Sequence, residues 1–125
     1  MAKQTKTLSK GAHGLLAANA EDHLDLWELL WTVEAEEDLE DNPEAAREAG
    51  RRVVSELVKG GYIHAGIPKG RSDFIPWPLS ADEAIERIER EWKALGREPD
   101  ISEVAWFDIT EKGRAYLARE KGGAG

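Results

Sequence analysis

Apolar residues recur every three to four positions in several stretches of this chain and alternate in short runs elsewhere, which predicts an α+β fold that is mostly helical. The first stretch holds Leu24, Leu26, Trp27, Leu29, Leu30, Trp31 and Val33 and predicts a helix over about 20–38. At 100° per residue these side chains span an arc of ~220°, wider than the ~100° stripe of an ordinary surface helix. Such a helix is either central to the domain or shared with a second subunit. Asn19 is placed to cap it, with acids in the first turn where the helix dipole favours them. The run Glu36–Asn42 puts acids at the negative helix end and predicts a loop, and Pro43 suits the first turn of the next helix.

A second helix is predicted over about 43–59. Its inner stripe is Ala46, Ala49, Val53, Val54, Leu57 and Val58, and Gly60–Gly61 end it. Ser80–Glu83 is a capping box opening a third helix over about 81–95, with Ala84, Ile85, Ile88, Trp92 and Leu95 inward and Gly96 as its stop. Thr110 caps a fourth, over about 111–120. Residues 62–67 and 104–109 read as short strands, and Phe74–Leu79 as extended chain, because its two prolines bias their predecessors away from helix. Residues 1–14 read as a flexible arm, 15–120 as one domain, and 121–125 as a frayed tail.

Composition narrows the classes. The 125 residues include no cysteine, so disulfide frameworks, thiolate nucleophiles and cysteine-held metals are excluded. No apolar run is long enough to span a membrane and no signal peptide opens the chain, so the expected location is cytoplasmic. His13, His23 and His64 lack metal-ligand spacing, and no nucleophile elbow or phosphate loop is present, so neither metal nor cofactor nor catalysis is expected.

The net charge of −8 is unevenly spread. Residues 21–42 contain ten acids and no lysine or arginine, whereas residues 43–72 contain six bases and three acids. On the second helix Arg47, Arg51, Arg52, Ser55 and Lys59 share the face opposite the apolar stripe. Glu48 and Arg52 can pair at i,i+4, which leaves Arg47 and Arg51 without an obvious intrahelical partner. The bland alternative for both blocks is a pair of solvated helix faces of opposite sign.

Glu56-Leu-Val-Lys-Gly-Gly-Tyr-Ile63 resembles the end of a recognition helix entering the first wing strand of winged-helix proteins. Asp108-Ile-Thr-Glu-Lys-Gly-Arg-Ala-Tyr-Leu117 resembles the exit of the second wing strand into a closing helix. The chain thus resembles winged-helix transcription regulators of the MarR and PadR type over about twenty residues in the expected order. It departs from them twice: residues 36–43 leave little room for the short helix that normally precedes the recognition helix, and an inserted helix interrupts the two-stranded wing.

The resemblance implies a non-enzymatic DNA-binding regulator. Arg47, Arg51, Arg52, Ser55 and Lys59 would face double-stranded DNA, Lys69 and Arg71 would lie near the wing, and the arm's lysines would add nonspecific contacts. Leu24, Trp27 and Trp31 would form a homodimer face, or else core. The alternative is a protein-interaction module, regulatory or immunity-like, that keeps the fold without touching DNA; the acidic run 34–41 would then meet a basic partner or mimic a polyanion. Trp77, held between two prolines, is expected to pin the inserted segment to the body. The DNA reading requires the arginine face to stand open and unpaired.

Overall fold

A computed structural model describes residues 8–70 and 73–124, with side chains through residue 120. Its elements run α1 (Lys10–Asn19), β1 (Leu24–Asp25), α2 (Leu26–Glu36), α3 (Pro43–Lys59), β2 (Ile63–Lys69), β3 (Asp73–Pro76), α4 (Ala81–Leu95), β4 (Trp106–Ile109) and α5 (Glu111–Ala124). The class is α+β, as expected. The two predicted strands are neighbours, β2 pairing with β4 from Ile63↔Ile109 to Gly66↔Trp106.

The sheet is larger than a two-stranded wing. Its order is β1-β4-β2-β3, antiparallel throughout. Leu24 pairs with Phe107 on one side, and the extended segment around Phe74 pairs with β2 on the other. Pro76 is tolerated because β3 is an outer strand, where a missing N–H breaks no ladder. α4 therefore lies between β3 and β4, as an excursion from a continuous sheet.

The helix expected over 20–38 is shorter, and the residues before it are not all arm. Asp25, not Asn19, caps α2: its carboxylate accepts from the Glu28 N–H at 2.9 Å. Residues 10–19 form α1, capped by Ser9, whose own N–H and hydroxyl donate to the Glu56 carboxylate of α3 at 2.9 and 2.8 Å. The glycines that read as flexibility are spacers. A Cβ on Gly11 would meet Glu37 Oε2 at 2.6 Å, and one on Gly14 would meet Glu36 Cδ at 2.6 Å, so both let α2 approach closely. Asn19 ends α1 fully buried, its amide donating to the carbonyls of Asp22 at 2.8 Å and Phe107 at 3.2 Å.

Leu15, Leu16, Leu26, Leu29, Val33, Val53, Leu57, Ile63, Phe107 and Tyr116 form the buried centre, between α1–α3 and the sheet. α4 adds Ala84, Ile88 and Trp92 along the flank of α3. Gly50 makes that junction possible: Leu30 of α2 and Trp92 of α4 both reach its bare backbone. Trp77 pins the inserted segment as expected: its ring packs on the core with the Arg87 guanidinium of α4 3.9 Å above it, and its backbone N–H donates to the Ala65 carbonyl at 3.0 Å.

Candidate functional site

The face of α3 expected to read DNA is present as a stripe, but each of its cations has a carboxylate. Arg47 bonds Glu98, beyond α4; Arg51 bonds Glu89 of α4 at 2.6 Å and lies 3.6 Å from Glu48; Arg52 bonds Glu37; Lys59 lies 3.9 Å from Asp82. The Glu89 hydrogen bond is the main cause raising the Arg51 pKa further above its ordinary value. The intrahelical Glu48–Arg52 pairing is replaced by these longer-range ones.

All these pairs are solvent-accessible, and each is worth at most about 1 kcal/mol. Their importance is electrostatic: a phosphate approaching Arg47, Arg51, Arg52 or Lys59 also meets five carboxylates, so the face has no cationic surplus. Ser55 on the same helix is half-buried. Lys69 stands exposed at the end of β2, while Arg71 and the lysines at positions 3 and 6 lie outside the described residues.

The residues expected to form a dimer face separate. Leu24 is buried against β4 and cannot contribute. Trp27 and Trp31 are not core: they are 39% and 66% exposed, one turn apart on α2. The wide apolar arc is thereby resolved. Leu26, Leu29 and Val33 face the core, Leu30 fills the space over Gly50, and the two tryptophans face outward.

The stretch of chain that carries the tryptophans is acidic. Glu34 continues their stripe, with Glu21, Asp22 and Glu28 toward the start of α2 and Glu36 and Asp38 toward its end; none of these has an ion-pair partner among the described residues. Burial, with Asp25 and then Asp22 nearby, holds the Glu28 carboxyl above the usual carboxylate range.

Two further groupings were invisible in the linear sequence. His23 and His64 converge on Asp108, with Nε2 atoms 3.6 and 3.9 Å from its two oxygens, and both rings pack on Phe74. The strand register, which puts His64 opposite Asp108, creates the grouping. Among the described residues no cluster of three or more such side chains is arranged to hold a metal. The second grouping is a cleft of about 780 Å³ between α3 and α4, where Arg47 and Arg51 meet Arg90, Trp92, Lys93 and Arg97. Among the described residues no helix is long and apolar enough to cross a membrane. Compared with known proteins, the chain matches no family model, no curated protein and no solved structure.

Proposed function

We propose that this chain is a winged-helix-like protein-interaction module that docks a cationic segment of a partner protein on the Trp27–Trp31 face of α2. The winged-helix part rests on element order: three helices, then the β2–β3 hairpin in the place of a wing, with α4 inserted before β4. With residues 10–19 as the first helix, α2 would correspond to the middle helix, for which residues 36–43 leave little room, and α3 to the recognition helix.

Exposure of Trp31 on a helix whose stretch of chain, residues 21–42, carries ten acids and no lysine or arginine is the observation that carries the function. Burying such a ring is worth roughly 2–3 kcal/mol, a gain this chain does not take for itself. A lysine or arginine laid over an indole gains ~0.5–2 kcal/mol, and the acids supply the long-range attraction that brings it there. The chain already uses this chemistry internally, at Arg87 over Trp77. A second copy is the poorer occupant, because a two-fold contact through this face would set the same acids against each other. A DNA backbone is poorer still, since α2 repels it and α3 is neutralised by carboxylates.

Octa-arginine is a suitable probe. It is expected to bind the full chain saturably at about 0.15 M salt, monitored by tryptophan fluorescence, and Trp31→Ala should weaken it about tenfold or more. Equal binding by wild type and Trp31→Ala would reduce the effect to diffuse charge and overturn the proposal. So would salt-sensitive duplex binding that Arg51→Glu abolishes.

The pH dependence has a definite sign. Glu28 holds its proton to higher pH than an ordinary carboxyl, and a docked cation favours its ionised form. Affinity should therefore rise with pH as Glu28 ionises, then level off, and Glu28→Gln should remove that step.

A further inference from the structure

The α3–α4 cleft combines features that the docking face of α2 lacks. Its volume of about 780 Å³ falls within the range of small-ligand sites and is far larger than one inorganic anion requires. Trp92 is mostly buried against α3, with Cη2 3.7 Å from where a Cβ on Gly50 would stand, and only its exposed edge gives the cleft an apolar border. Arg47, Arg51, Arg90, Lys93 and Arg97 supply five cations to the lining, against Glu86 and Glu89.

The cations fall into two kinds. Arg47, Arg51 and Arg97 are committed to Glu98, Glu89 and Glu103. Arg90 and Lys93, one turn apart on α4, have no ion-pair partner among the described residues. The helical pairings open to them do not form: Glu89 turns to Arg51 and not to Lys93, and Glu86 does not reach Arg90. With the committed arginines neutralised, Arg90 and Lys93 outnumber the lining's remaining carboxylate, Glu86, beside an aromatic edge; in a protein of net charge −8 a polyanion is repelled by the rest of the surface, while a small anion fits within the cleft.

We infer that the α3–α4 cleft binds a small organic anion, its apolar body along the exposed edge of Trp92 and its carboxylate between Arg90 and Lys93. The site is independent of the α2 face, and Trp31 is not in its lining. A ligand there would contact both helices and stiffen their junction.

The test is a titration of 2-naphthoate into the full, isotope-labelled chain, followed through the Trp92 indole and the Gly96 and Arg97 amides. Saturable shifts at these groups are expected. Uncharged 2-naphthalenemethanol and inorganic phosphate should each bind about tenfold more weakly, one lacking the charge and the other the ring. The double substitution Arg90→Ala/Lys93→Ala, at exposed positions that leave the helix intact, should weaken 2-naphthoate by about tenfold, whereas Trp31→Ala should leave it unchanged. Absence of saturation, equal affinity for the uncharged ring, indifference to the double substitution, or shifts confined to Trp27 and Trp31 would each overturn the assignment.

Discussion

Replacing Gly113 with alanine should destabilise the fold by about 3 kcal/mol, although it adds one methyl group to a helix. Gly113 lies in the first turn of α5, buried, where that helix meets the turn after α3. A Cβ there would fall well inside contact distance of the Tyr62 carbonyl oxygen, and 2.7 Å from Ile109 Cγ1. The carbonyl cannot step aside, because it accepts from the Thr110 N–H at 3.0 Å, and the Thr110 hydroxyl bonds the Gly61 carbonyl at 2.6 Å. Lys112 closes the same junction by donating to the Gly60 carbonyl at 2.6 Å. To admit the methyl, α5 must lift, which separates Tyr116 from Tyr62 and from the backbone of Leu8. The melting temperature should fall by ~10 °C. Gly96→Ala is the control: its φ of +69° carries a backbone cost, but nothing lies within 4 Å, so the loss should stay near 1 kcal/mol. Equal melting temperatures for the two variants would refute the close approach of α5 to the turn after α3.

This junction also explains which parts of the fold were legible in the sequence. Pro43 and Ser80–Glu83 are local signals, because each lies within one turn of the helix it opens, and α3 and α4 begin where those residues put them. Gly60–Gly61 and Thr110–Gly113 are local as well, although their meeting is not. α1 was hidden because a glycine that relieves a helix crossing looks, in sequence, like one that confers flexibility; only Glu36 and Glu37 of α2 distinguish Gly11 and Gly14. The start of α2 was misplaced because Asn19 and Asp25 are equally good caps by type, and the choice depends on Asp25 also reaching Ser102.

The candidate sites show the same division. Helical periodicity put Arg47, Arg51 and Lys59 on one face, and they share it. What that face can do depends on Glu98, Glu89 and Asp82, which lie 51, 38 and 23 positions further along and arrive only because α4 packs on α3. Charge segregation along a chain therefore says little about charge segregation on a surface. Residues 43–72 have a surplus of bases in sequence, but acids from elsewhere in the chain pair with the four of them that α3 carries. The block 21–42 has no base of its own, and a single contact from α3, Arg52 to Glu37, reaches it, so its negative character survives folding.

Asp25→Ala should cost about as much as Gly113→Ala, roughly 3 kcal/mol, by a different route. Asp25 is 1% exposed, and its two carboxylate oxygens have separate duties. Oδ1 caps α2 at the Glu28 N–H, a contact worth ~1 kcal/mol. Oδ2 accepts from the Ser102 N–H at 2.6 Å, a charge-assisted bond worth ~1.5–3 kcal/mol where it is shielded from water. The second bond holds a loop whose backbone resists its own conformation: Ser102 and Val104 have φ of 68° and 70°, and for a β-branched residue that region is strongly disfavoured. Arg97 and the Asp100 N–H grip the same loop through the Glu103 carboxylate, lowering its pKa to about 2, so that anchor is lost only as pH falls below the ordinary carboxylate range toward that value. Asp25→Asn separates the two duties. Its carbonyl oxygen still caps α2, but its amide then meets the Ser102 N–H donor to donor, so the loop is released while the helix start holds. Hydrogen exchange distinguishes the outcomes: Asp25→Ala should deprotect both Glu28 and Ser102, and Asp25→Asn Ser102 alone. Protection of Ser102 in Asp25→Asn equal to wild type would mean that the strained loop is held by Glu103 and not by the buried aspartate.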